Sequence, residues 1–241
     1  MKPALRPVSL LLALPLAAPP QVSGGSEVDF NSRYVWRGIA CSDGPVLQAN
    51  DWVSARGFTL NGWANLVLTQ EPQQGEVNSV SASLTYDKEY AGFRLEPLIE
   101  YWADRRIAEV ADPATGELSL NISRSIGPVR VFLLQTVDAF RFRGAAYSET
   151  GITRSFAWKG IKTDSTARVG WANRAFMDAY VRLPKGALLD AGVEIASTIP
   201  VFRSFYVKPH CVWTYLPEGR VRQVLRPASL WDAGIAFGVT F

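Results

Sequence analysis

The sequence predicts an all-β fold, an up-and-down antiparallel transmembrane β-barrel of about 12 strands. Three observations predict it. From Val28 onward, apolar and aromatic residues alternate with polar or small ones, a period of two rather than the helical ~3.6. The breaks between these segments are alternately tight and long, and aromatic rings gather near segment ends.

The alternation is clearest at the C-terminus, where Ala233, Ile235, Phe237, Val239 and Phe241 oppose Asp232, Gly234, Ala236, Gly238 and Thr240. Phe93 to Asp104 repeats it, with Phe93, Leu95, Pro97, Ile99 and Tyr101 against Arg94, Glu96, Leu98, Glu100, Trp102 and Asp104. In a soluble sandwich the polar face would meet outside water; in a membrane barrel it lines the lumen.

Reading for breaks places strands near 28–38, 45–56, 58–69, 78–89, 93–105, 117–126, 129–140, 145–157, 164–176, 187–199, 204–216 and 231–241. An even count brings both termini to one rim, and closing the sheet leaves no backbone edge facing lipid. The tight connections, Arg56-Gly57, Tyr90 to Gly92, Gly127-Pro128, Lys159 to Thr163 and Pro200 to Arg203, are assigned to the periplasmic side. The longer polar ones, such as Ile39 to Gly44, Gln70 to Val77, Arg106 to Gly116, Met177 to Gly186 and Pro217 to Leu230, are assigned to the outer side. Tyr34, Trp36, Trp52, Phe58, Tyr90, Phe93, Tyr101, Phe156, Trp158, Trp171, Phe205, Trp213 and Trp231 fall near strand ends, where amphipathic rings favour the headgroup layer. The pattern blurs at Phe132-Leu133-Leu134, apolar on both faces, and at Arg154.

The first residues are of another kind. Lys2 and Arg6 precede an apolar run from Val8 to Ala18, which Pro19, Pro20 and Gly24-Gly25 end. That run is too short to span a bilayer, which takes about 20 residues. A cleaved signal peptide is predicted over residues 1–25, ahead of a barrel over 26–241. Removing Lys2 and Arg6 leaves 23 of 25 basic residues against 22 acidic ones, a balance without the footprint of a nucleic-acid binder. Cys41 and Cys211 lie far apart and make no disulfide framework.

Tyr34-Val35-Trp36-Arg37-Gly38-Ile39, Ser42-Asp43-Gly44-Pro45-Val46-Leu47-Gln48 and Gly57-Phe58 leading to Trp63-Ala64-Asn65 resemble the TorF-like family of bacterial porins. The resemblance covers the first quarter of the mature chain. It implies a signal peptide, outer-membrane placement and a terminal aromatic, here Phe241, as the assembly signal. Physically, Tyr34 and Trp36 share one face and would anchor at the outer interface, while Arg33, Val35 and Arg37 share the other and reach the lumen. Alternatively, Arg37 pairs with a carboxylate inside the barrel wall.

In this register the lumen collects Arg33, Arg37, Arg94, Glu96, Glu100, Asp104, Asp190, Glu194, Lys208 and His210 as pore-lining candidates, with Asp29, Asp87, Arg168 and Arg174. Opposing charges in a narrow pore can orient polar solutes. The expected function is a porin-like channel for passive diffusion of small polar solutes or ions. The alternative is a closed structural or surface-interaction barrel without transport, and less favoured still is an outer-membrane enzyme. His210 is the sole histidine and lumenal, a poor position for lipid hydrolysis, and no G-x-S-x-G elbow occurs, so no catalytic residue is assigned. No zinc set can be assembled, and Glu109, Asp112 and Glu117 lack calcium-loop spacing, so neither metal nor cofactor is expected. Expected partners are outer-membrane lipid, lipopolysaccharide and the barrel assembly machinery.

Overall fold

The computed structural model describes residues 22–69, 74–104 and 114–241. Residues 1–21, most of the expected leader of 1–25, lie outside the described residues, as do 70–73 and 105–113, with Glu109 and Asp112, and the side chain of Asp104.

Twelve strands form the wall: β1 (Val22–Asn31), β2 (Val46–Ala55), β3 (Phe58–Val67), β4 (Val77–Tyr86), β5 (Phe93–Asp104), β6 (Ala114–Ile126), β7 (Val129–Asp138), β8 (Ala146–Trp158), β9 (Ile161–Ala172), β10 (Ala187–Phe202), β11 (Phe205–Tyr215) and β12 (Ser229–Thr240). Every pairing is between sequence neighbours and antiparallel, and β1 closes the ring on β12 with Phe30 opposite Ile235 and Ser26 opposite Val239. Gly24 and Phe241 exchange backbone hydrogen bonds of 2.8 and 2.9 Å, so the last residue is part of the seam. Closure satisfies the wall's backbone groups from within, which a bilayer requires.

The parity of connections holds. Arg56-Gly57, Ala91-Gly92 and Lys159-Gly160 each place both residues at positive φ, between 48° and 84°. That two-residue turn matches the right-handed strand twist. Lys88–Tyr90 adds a short strand against β5 at this rim.

One expectation about the N-terminal region needs correction. β1 begins at Val22, so the last four residues of the predicted leader of 1–25, Val22 to Gly25, are paired with β2. It ends at Asn31, whereas a strand over 28–38 was predicted. Tyr34–Trp36 and Ile39–Ser42 instead form a separate small hairpin about Arg37-Gly38, with φ of 49° and 76°. The dipeptide makes the same positive-φ turn as Arg56-Gly57, so the alternation through residue 38 came from a turn-back and not from a continuous wall strand.

Outward positions form an apolar band. Phe156, Trp158, Phe205 and Tyr90 are exposed toward the tight-turn rim, and Trp171, Trp231 and Tyr101 toward the opposite one, as interfacial belts require. Cys211 points outward beside Ile195 and Ala233. Arg154 also points outward, but opposite Val129 near the Gly127 turn, where its long stem can bring the charge to the interface. Asp51 interrupts the band beside Ser26 and Gly62. Trp52 faces the lumen, not the lipid belt predicted for it, and its ring fills the space over Gly25.

Candidate functional site: the lumen

Inward-facing positions of each strand carry the polar set, but size is as important as polarity. β12 presents Gly234, Ala236 and Gly238 to the lumen. A Cβ at Gly238 would collide with the Tyr206 ring and one at Gly234 with His210 and Asn31, so the small face of β12 is the floor across which β11 lays its large side chains. Gly170 does the same for Tyr147 and Asp190. Phe132 and Leu134 also face inward, with Phe132 over Gly151, which explains the apolar run that blurred the alternation.

The charged side chains fall into separate groups. Lys208 Nζ reaches Glu27 Oε1 at 2.7 Å, and the Tyr206 hydroxyl donates to Glu27 Oε2 at 2.7 Å. Arg94 pairs with Asp87 and, at 3.1 Å, with Glu96, which also accepts from Asn121 at 2.8 Å. Arg168 Nη1 donates to Asp190 at 2.6 Å and to Glu149 at 2.9 Å, while the Tyr147 hydroxyl donates to Asp190 at 2.8 Å. Asp190 is fully buried there. Glu194 is exposed inside the lumen.

His210 lies 2.8 Å from Asn31 Oδ1, and from Asn31 a run of amides continues around the wall. Asn31 Nδ2 donates to Gln48 at 3.3 Å, Gln48 to Asn65 at 3.0 Å, and Asn65 to Asn78 at 2.7 Å. These amides were missed because only ionisable residues were collected. Asn31, Gln48 and Asn65 follow the inward parity of their strands, whereas Asn78 turns inward at the β-bulge opposite Asn65 and Leu66.

Arg37 does not line the wall. It sits at the turn of the inserted hairpin and clasps Glu117 of β6 through two hydrogen bonds of 2.7 Å. Its guanidinium lies 4.5 Å above the Trp36 ring and 4.8 Å from that of Tyr147. This is the carboxylate-paired alternative for Arg37. Burial pulls the guanidinium pKa down, but the charge and hydrogen bonds of Glu117 more than offset it, leaving it raised. The interfacial role predicted for Tyr34 and Trp36 is likewise overturned. Trp36 packs on Trp102, Phe176 and Tyr180 with centroids 5.3–5.7 Å away, and Tyr34 packs on Trp63 at 5.4 Å. Arg33 follows β1 rather than lying on it, and its backbone N–H donates to Asp232 at 3.2 Å. Arg174 opens a short helical turn, Arg174–Phe176, in the β9–β10 loop and is exposed, not lumenal.

That loop continues as the π-helical turn Met177–Val181 and fills one side of the outer half. Phe176, Met177, Val181, Leu189, Leu216 and Val221 form a buried apolar cluster with Tyr147, joined by Trp36, Phe142 and Tyr180. The Tyr180 hydroxyl, 3.4 Å from Asp138, has its pKa pushed up by burial first and then by Glu117 and Asp138. At the tight-turn end the lumen widens into two recesses of about 450 and 410 Å³, one beside Glu27 and Lys208, the other beside Arg130, Lys162 and Asp164. Between the hairpin and β3–β6 lies a cavity of about 300 Å³.

No protein-family model and no curated protein matches the sequence. Solved structures do match. The KdgM porin, solved in complex with disordered oligogalacturonate, covers 91% of this chain and 98% of its own at 11% identity and TM-score 0.52. The NanC porin covers 90% of this chain and 98% of its own at 11% identity and TM-score 0.53. The fold is that of an outer-membrane porin. Within this porin fold, Arg94, Glu96, Glu100, Glu194, Lys208 and His210 occupy inward-facing positions of their strands. Asp190 does too, but as a buried partner of Arg168, and Arg37 enters as part of an insert.

Proposed function

We propose that this chain is an outer-membrane channel through which small polar solutes or ions diffuse passively. The observation that carries the proposal is a closed wall, apolar outside, around a lumen whose charges of both signs border open recesses. The inserted hairpin and the β9–β10 loop narrow the outer half, so the channel is small. The KdgM porin is described with an acidic sugar oligomer; in this chain most lumenal cations are already engaged by carboxylates, which supports passage of compact solutes over polyanions.

The Ser32–Asn65 stretch supports membership of the TorF-like porins, and Phe241, outward-facing at the seam, suits recognition by the barrel assembly machinery. The exposed apolar band would be covered by outer-membrane lipid and lipopolysaccharide. A cleaved leader would have to end before Val22 to leave β1 intact.

Planar-bilayer recording of the purified protein tests the channel. Discrete conductance steps well below those of wide general porins are expected. A second reading, a closed surface-interaction barrel, draws on the apolar cluster under the β9–β10 loop; a folded, correctly inserted protein without steps would establish it over the channel.

A further inference from the structure

We propose that the cavity between the inserted hairpin and β3–β6 is a binding subsite for a small protonated amine. Its walls are aromatic and acidic. Tyr34, Trp36, Trp63 and Trp102 supply aromatic side chains, and Glu100 and Glu117 supply carboxylates, with no lysine or arginine among the described residues of the lining. Arg37 is held by both oxygens of Glu117. Glu100, directly across the β5–β6 pair from Glu117, therefore gives the pocket an excess of negative charge.

A second, independent observation points to a missing occupant. Two buried oxygens on the lining, Ser79 Oγ and Asn61 Oδ1, have no hydrogen-bond partner among the described residues, and Ser79 is only 4% exposed. Buried polar atoms left unpaired lose the hydrogen bonds they made to water without replacement. An ammonium group brings donors only and a positive charge. It can satisfy acceptors, sit over ring faces and balance Glu100 together. A neutral polyol would leave the charge unbalanced, and an anion would add to it.

The cavity volume is about 300 Å³. It suits an amine of a few carbons. The subsite rests on the channel proposal only for its biological use, since such a ligand would be held on its way through the lumen. Binding itself does not require flux.

Calorimetric titration of the full chain, folded in detergent at low salt, tests it with n-butylammonium, 1-butanol and glucose as probes. One saturable site for n-butylammonium is expected, with no measurable binding of the two neutral probes. Glu100→Gln, checked for retained β-structure, is expected to weaken the amine at least tenfold. Equal binding of 1-butanol, binding of glucose alone, or unchanged affinity in Glu100→Gln would overturn the proposal. Amine binding by a barrel that conducts nothing would keep the subsite and remove the channel; a conducting barrel indifferent to the amine would do the reverse.

Discussion

Replacing Arg168 with alanine is expected to lower the unfolding free energy by about 3–5 kcal/mol, the largest single-residue loss expected in the lumen. The guanidinium holds two carboxylates, Asp190 at 2.6 Å and Glu149 at 2.9 Å, and Asp190 has no exposed surface. Without Arg168, Asp190 keeps only the Tyr147 hydroxyl and stays beside a second negative charge. An uncompensated buried charge is far more costly than an intact pair is stabilising. The site cannot relax by repacking, because Gly170 is the space that Tyr147 and Asp190 already occupy. Equilibrium unfolding in urea with lipid vesicles reads the effect. A loss below about 1 kcal/mol, the worth of a hydrated surface pair, would mean that water reaches Asp190 and the outer half is open there.

Arg37→Ala is expected to act on conduction. Arg37 ties the Tyr34–Ser42 hairpin to β6 through Glu117, whose side chain lines the amine-sized cavity. Its removal releases the insert from the wall and uncovers a carboxylate in a narrow passage. Two changes follow together: a several-fold larger unitary conductance, and a reversal potential under a salt gradient shifted toward cation preference. Arg37→Lys keeps the charge but cannot form the two-pronged bond, so it should preserve selectivity better than pore size. Unchanged conductance and selectivity in Arg37→Ala would show that ions pass elsewhere.

Much of the wall was legible because each residue's face depends only on parity once register is set. Phe93 to Ala103 and Ala233 to Val239 point as their alternation predicts. The insert was not legible by that rule. Tyr34, Trp36 and Arg37 continue the alternation of β1, yet the Arg37-Gly38 turn folds them into the lumen, so parity assigned lipid anchors to rings that form packing contacts inside. Loop packing carries no such period: nothing in the spacing of Phe176, Met177 and Val181 says that they descend onto Tyr147. Asn31, Gln48 and Asn65 are legible by following amides at lumen positions as closely as charges, whereas Asn78 is brought in by a β-bulge that parity does not reveal.

The central claim is that successive residues of one strand meet lipid and water in turn. In a background carrying Cys41→Ser and Cys211→Ser, single cysteines placed at Val193, Glu194, Ile195 and Ala196 of β10 test it with a charged, membrane-impermeant thiol reagent on vesicle-inserted protein. Glu194→Cys and Ala196→Cys are expected to react and Val193→Cys and Ile195→Cys to stay protected, since the first two face the lumen and the others the apolar exterior. Uniform reactivity along the strand, or reaction at 193 and 195 alone, would contradict it.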